Sequence, residues 1–186
     1  MAKLIYVANV SLDGFIEDEH GGFDWSAPDD DRFAFITDLV RPVGTYLYGR
    51  RMYDTMAVWE TDPALAAQSE LMADFAHVWQ AADKIVYSTT LDAVSTEKSR
   101  LERRFDPDSI RRMKTAANRD LTVGGPNLAA HAFGARLVDE CHLFICPVVV
   151  GRGKPSLPSE LHAKLGLLDA RRFDNGDVYV RYRIPI

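Results

Sequence analysis

Leu121-Thr122-Val123-Gly124-Gly125-Pro126-Asn127-Leu128 is a short β-branched run that breaks into paired glycines and restarts behind a proline. It predicts a buried strand that feeds a helix through a turn without side chains. Two adjacent residues lacking Cβ let backbone N–H groups approach an anion closely. The free N–H groups of the following helix turn add roughly half a positive charge. The stretch therefore reads as a strand-to-helix turn built to hold a phosphate. An ordinary tight turn uses the same residues, so the other strand ends decide between the two readings.

Two other strand ends carry related chemistry. Thr45-Tyr46-Leu47-Tyr48 runs into Gly49-Arg50-Arg51-Met52-Tyr53, again a glycine before a helix start, and Lys84-Ile85-Val86-Tyr87 opens into the hydroxyl residues Ser88-Thr89-Thr90. Upstream, the segment from Met1 to Val10 reads as a first strand rather than a secretory leader. Ser11-Leu12-Asp13-Gly14-Phe15-Ile16 follows, and a Gly/Asp-rich loop to Trp25 is a candidate lid. Asp29, Asp30 and Asp31 behind Pro28 predict a helix with Phe33, Ile36 and Val40 on one face, ending before Pro42. Leu65, Met72, Phe75, Trp79 and Ala82 predict one apolar helical stripe. A short strand near Arg100 and a helix from about Pro107 to Ala117 lead back to the glycine turn.

Beyond that turn strands dominate, over Asp139 to Val150 and over Leu165 to Phe173. After the hairpin signal Asn175-Gly176, Val178, Val180, Tyr182 and Ile184 alternate with Tyr179, Arg181 and Arg183, which places the first set on the buried face. Early βα alternation and a late block of strands predict an α/β fold with a mixed, mostly parallel central sheet and helices on both faces. Ligands of such sheets bind at the carboxyl ends of the strands.

The 186 residues suit one domain, 1–186, able to bury a core without disulfides or metal. Hydrophobic residues at 47% and charged residues at 26% exclude a disordered chain and give no sign of a membrane span. A net charge of -5 argues against a nucleic-acid surface. Cys141 and Cys146, with His142, lack a second Cys/His cluster to complete a zinc site, so no metal is expected. Unpaired thiols fit the cytoplasm.

Five motifs in order, Ser11-Leu12-Asp13-Gly14, Gly49 to Tyr53, Ser88 to Leu91, Val123-Gly124-Gly125 and Leu137 to Gly153, carry a resemblance that spans nearly the whole chain. The chain resembles the reductase domain of bacterial bifunctional riboflavin-biosynthesis deaminase-reductases, within the dihydrofolate-reductase-like superfamily. The resemblance implies a three-layer α/β/α sandwich with NADPH lying across the strand ends. It implies that Gly49, Arg50 and Arg51 form one phosphate turn and Gly124, Gly125, Pro126, Asn127 and Leu128 the other. Ser88, Thr89 and Thr90 would lie by the adenosine, and Asn9 and Ile16 would meet the nicotinamide amide through backbone groups. Met52 stands where the family usually has Thr, and Pro126 supplies no N–H. Thr89 replaces a usual Arg beside the 2′-phosphate, which leaves NADH open and gives Arg50 or Arg51 a compensating role.

The deaminase signature, H-x-E followed by P-C-x-x-C, does not occur in these residues, so the activity expected is that of the reductase alone, as a stand-alone domain. On the substrate side, Trp25 and Asp30 resemble the tryptophan and carboxylate of dihydrofolate reductases in spacing. Asp30 is expected to orient a pyrimidine- or pteridine-like ring or to assist proton delivery as hydride arrives, with Ser11, Asp13 and Ala34 beside it. Service of all three aspartates to the helix N-terminus is the competing reading. A dihydrofolate-type reductase and a non-catalytic nucleotide-binding protein on the same fold remain alternatives. The β-rich apolar surface at Phe144, Val148 to Val150 and Val178 to Ile184, with the pairing habit of the domains this chain resembles, implies a homodimer.

Overall fold

The computed structural model describes residues 1–185. An eight-stranded sheet runs through its centre. Strands β1 (Leu4–Ser11), β3 (Val43–Gly49), β4 (Asp83–Tyr87), β5 (Ser99–Glu102), β6 (Asp120–Gly124) and β7 (Glu140–Cys146) are parallel. Strand β10 (Val178–Arg183) runs antiparallel to β7, and β9 (Gly166–Arg172) antiparallel to β10. The order across the sheet is β5-β4-β3-β6-β1-β7-β10-β9. Strands β2 (Phe15–Asp18) and β8 (Gly153–Pro155) pair separately as a small antiparallel ribbon.

Helices cover both faces, as the alternation of the strands requires. In β6, Leu121 and Val123 face one side and join Leu4, Tyr6, Leu47 and Ile85 under α6 (Pro107–Ala116) and α7 (Pro126–Gly134). Residues one step out of phase, Tyr46, Tyr48 and Val86, face α1 (Asp30–Val40), α2 (Arg50–Met56) and α5 (Glu70–Ala81). Trp79 of α5 is fully buried and donates Nε1–H to the Tyr48 hydroxyl at 3.1 Å, so its burial, about 2–3 kcal/mol for a large side chain, leaves no polar atom unmatched. A third cluster, Phe144, Phe173 and Tyr179, packs under Phe35 of α1. The architecture is the three-layer sandwich with a mixed, mostly parallel sheet.

Local expectations are corrected at several points. The apolar stripe from Leu65 to Ala82 is not one helix: Leu65 lies in the short α4 (Pro63–Ala66), behind α3 (Val58–Thr61), and Ser69 caps α5 through the Met72 N–H, so a new helix starts there. The last strand is covered on both faces, with Ile184 of the first set also buried. Tyr179 is buried against α1 while Val178, Val180 and Tyr182 are only half-buried, because the helix layer needs aromatic packing on the odd-numbered face. The loop expected as a candidate lid carries the pairing of β2 with β8 and a 3-10 turn at Asp24–Ser26. Of the strand-rich run from Asp139 to Val150, only Glu140–Cys146 is strand. No helix of the described residues is long and apolar enough to cross a membrane, and among them no cluster of metal-ligating side chains forms.

Candidate active site

The carboxyl ends of β3, β6, β1 and β7 lie side by side, and most of the sequence-predicted site residues gather there. Register places Tyr48 beside Gly124, so Gly49 and Gly125, each one residue further on, leave neighbouring strands together. Both are helix N-caps without a side-chain cap, Gly49 for α2 and Gly125 for α7. By contrast Asp29, Ser69 and Asp106 cap α1, α5 and α6 with side-chain oxygens. Gly125 has φ +91°, a conformation that L side chains rarely adopt. A Cβ at Gly124 would lie 2.9 Å from the Tyr48 ring and 3.1 Å from Met52 Cγ, and one at Gly125 would lie 3.6 Å from Met52 Cβ. Met52 therefore does not replace a hydroxyl donor; it roofs the second glycine turn. Asn127 is exposed, Pro126 half-buried, and Leu128 is buried core that faces Gly49.

The paired arginines part company. Arg50 swings toward β4 and donates to the Thr90 hydroxyl at 2.9 Å, beside exposed Thr89. Ser88 Oγ accepts from the Thr90 and Leu91 N–H groups and so shapes the turn itself. Arg51 points the other way and grips both carboxylate oxygens of Glu17 on β2, at 3.2 and 3.0 Å. An open cleft of about 710 Å³ lies between that ribbon and α2, with Arg152 and Lys154 on its wall.

Several expected substrate residues lie outside the lining of that cleft and are already engaged. Ser11 is buried and its Oγ accepts from the Phe15 N–H at 2.9 Å. Asp13 staples the β1 and β7 loops, accepting from Val150 N–H at 3.2 Å and Gly151 N–H at 2.8 Å. Hydrogen bonding from Ser11, then from Gly151 and Val150, holds its carboxyl below the usual range. Ile16 is half-buried in β2, and Ala34 is half-buried on α1. Trp25 lies in the 3-10 turn with a buried Nε1–H that has no partner among the described residues.

The three aspartates separate by role. Asp29 caps the helix through Arg32 N–H, and Asp31 pairs with Arg171 at 2.9 Å. Asp30 is exposed and makes no ion pair or side-chain hydrogen bond among the described residues, which leaves it open to a ligand.

Sequence reasoning missed Arg32. It is 1% exposed, sandwiched under α1, with NH1 on Asp177 Oδ2 at 2.5 Å and NH2 on Asn9 Oδ1 at 2.6 Å. Its guanidinium also stacks over Phe144 at 5.2 Å. The signal was positional: Arg32 lies one turn before Ile36, on the apolar side of the helix.

The model of the RibD C-terminal domain matches residues 2–179. The chain belongs to the RibD C-terminal domain family. This RibD C-terminal domain is 28% identical over 182 residues to the uncharacterized protein YyaP of Bacillus subtilis (strain 168), covering 97% of this chain and 94% of that protein. Among solved structures it superposes on a protein assigned by its name to riboflavin biosynthesis, from Shewanella sp. PV-4, with TM-score 0.76, 21% identity and full coverage of both chains. A pyrimidine reductase-like protein from Corynebacterium diphtheriae gives TM-score 0.66 at 14% identity, covering 100% of this chain and 92% of that one. The diaminohydroxyphosphoribosylaminopyrimidine deaminase/5-amino-6-(5-phosphoribosylamino)uracil reductase of Thermotoga maritima gives 0.64 at 16% identity; the match covers 99% of this chain but 57% of the longer one. At these identities the likenesses establish the dihydrofolate-reductase-like fold, and family membership supports an oxidoreductase.

Proposed function

We propose that this RibD C-terminal domain is an NADPH-dependent reductase of a small pyrimidine- or pteridine-like ring, related in chemistry to 5-amino-6-(5-phosphoribosylamino)uracil reductases. The observation that carries the reading is the pair of uncapped glycine N-caps, Gly49 and Gly125, on adjacent strand ends. Helix starts without a side-chain cap suit a diphosphate, and the space a Cβ at Gly124 would need is already taken by Tyr48 and Met52. NADPH would supply the hydride. Arg50, turned toward Thr90, is the guanidinium placed for a 2′-phosphate where Thr89 has none to offer. Arg51 is committed to Glu17 and contributes less. Asp30, open at the first turn of α1, orients the ring by accepting its N–H groups, or relays the proton that accompanies hydride. Activity in the cytoplasm is consistent with two buried, unpaired cysteines.

Titration with NADPH and NADH tests the reading. Gly125→Asp places a side chain at φ +91° and a negative charge against the anion, so NADPH affinity should fall by at least tenfold, about 1.4 kcal/mol. A folded variant that binds NADPH like wild type moves the cofactor elsewhere.

The same reading includes a homodimer joined through the late strands. Phe144 and Ile184 are buried within the subunit, Phe144 under α1. Val149 is open at 67%, and β9 is an edge strand exposed at all seven residues, with Leu167 at 59% and Leu168 at 37%. An uncovered edge of that length pairs readily with a second copy about a two-fold axis. Light scattering at low micromolar protein should return twice the 20.9 kDa chain mass, and Leu167→Lys should halve it; a wild-type monomer ends the proposal.

A further inference from the structure

Arg32 is costly where it stands. A buried ion pair stabilises little beyond an apolar replacement of the same volume, and Arg32 Nε has no partner at all. The guanidinium carries only donors, so the Asn9 group that meets it at 2.6 Å is the carboxamide oxygen. That fixes the flip of the amide. Nδ2 then faces away from Arg32 with no protein partner among the described residues, on a half-buried side chain two positions before the end of β1. Asn9 pairs in register with Phe144, which places it on the α1 side of the sheet, below the helix turn that begins at Asp30. Asp177 clamps Arg32 from the other side and is itself held by the Asn175 amide at 2.9 Å.

We propose that Arg32, anchored by Asp177, is a positioning residue that locks the Asn9 carboxamide so that its Nδ2–H groups donate to a ring carbonyl of the substrate. The inference rests on reading the carboxyl ends of these strands as the reductase site and adds a recognition element to it. Asp30 accepts and Asn9 donates, a pair that suits the alternating N–H and C=O edge of an oxidised pyrimidine. A ring edge without an acceptor, such as an aromatic hydrocarbon edge, leaves the amide donors unmet, so the site selects rings with a carbonyl.

The deciding variant keeps the fold. Asn9→Asp retains an oxygen for Arg32 and replaces the donors with a second carboxylate oxygen, whose charge faces the buried Arg32 guanidinium. Wild type, Asn9→Asp and Arg32→Lys are each titrated with 5-aminouracil and separately with NADPH by tryptophan fluorescence, and their melting temperatures are recorded. Asn9→Asp should melt close to wild type, lose about tenfold or more in 5-aminouracil affinity, and keep NADPH affinity within about threefold. Arg32→Lys, which loses one of two simultaneous grips, should weaken 5-aminouracil by about threefold or more. Unchanged 5-aminouracil affinity in Asn9→Asp overturns the donor role and leaves the reductase reading standing. If Arg32→Lys lowers only the melting temperature, Arg32 is structural and the positioning claim falls. Wild type that binds NADPH but not 5-aminouracil removes the pyrimidine carbonyl as the acceptor; wild type that binds neither removes the reductase-site reading and this assignment together.

Discussion

Two regions of the sheet, a backbone wall along β3 and β6 and a charged wall along β1, β7 and β10, are built from opposite materials. At the carboxyl ends of β3 and β6 the chain removes side chains, at Gly49, Gly124 and Gly125, and Tyr48 and Met52 pack against the bare turn. On the β1, β7 and β10 side it buries charge: Arg32 with Asp177 and, at the amino ends of β1 and β7, Glu140 among Lys3, His142 and Arg181. A backbone wall can grip any anion of the right spacing, because an N–H group carries no sequence information. A charged wall discriminates, since each buried donor left without its partner costs about 1–3 kcal/mol.

The sharpest way to break this contrast is to remove a counter-ion from the charged wall. Asp177→Ala leaves Arg32, 1% exposed, without a carboxylate, and should cost about 3–5 kcal/mol in urea unfolding. Asp31→Ala removes a bridge of equal formal charge to Arg171, but both partners are solvent-exposed, and it should cost no more than about 1 kcal/mol. Equal losses in the two variants show that burial is not what separates the pairs.

The walls also differ in how plainly the sequence announced them. Glycine has one residue type and few uses at a strand end, so Gly49 and Gly124-Gly125 could be read directly, and the parallel strands feeding them declared themselves as short β-branched runs. Arg32 follows three aspartates at a helix start, and Asp177 follows Asn175-Gly176 in a turn; both contexts look like solvated surface. What brings them together is the antiparallel addition of β10 to β7, a contact 145 positions apart that no local pattern encodes. The same tertiary requirement buried Tyr179 on the other face of β10, where it meets Phe35 of α1. Asp30 was legible as a candidate, yet its separation from Asp29 and Asp31 depended on which aspartate became the N-cap.

A smaller effect sharpens the backbone wall. Gly124→Ala pushes a methyl to 2.9 Å from the Tyr48 ring and 3.1 Å from Met52 Cγ, and should destabilise by about 1–3 kcal/mol. Gly134→Ala, at the end of α7 with nothing within 4 Å of its Cβ, should instead stabilise by about 0.5 kcal/mol. Met52→Ala in the Gly124→Ala background should recover part of the loss, as measured by urea midpoint at constant slope. A Gly124→Ala that behaves like Gly134→Ala removes close packing as the reason for glycine.

The smallest effect separates the walls by pH. The glycine turns carry no titratable group, whereas on the other wall His142 is buried between the Tyr179 hydroxyl at 3.0 Å and Glu140 at 3.1 Å. Burial, outweighing the Glu140 carboxylate, pulls His142 below its ordinary value of 6.5, so the unfolded chain takes up this proton first and stability falls as pH drops below 6.5. Burial works to raise Glu140, but hydrogen bonds from Arg181, Lys3 and His142 hold it down to about 2 against an ordinary 4.5. Its contribution is present above pH 4.5 and is lost as pH falls from there toward 2. Because Lys3 and Arg181 are partly solvated, the lower limb should amount to about 1 kcal/mol and shrink in high salt. Thermal midpoints from pH 8 to 3 should therefore fall in two stages. His142→Asn should flatten the upper stage and Arg181→Met the lower. If both variants follow the wild-type profile in parallel, the acid sensitivity arises elsewhere in the chain, and this wall is electrostatically as inert as the glycines opposite.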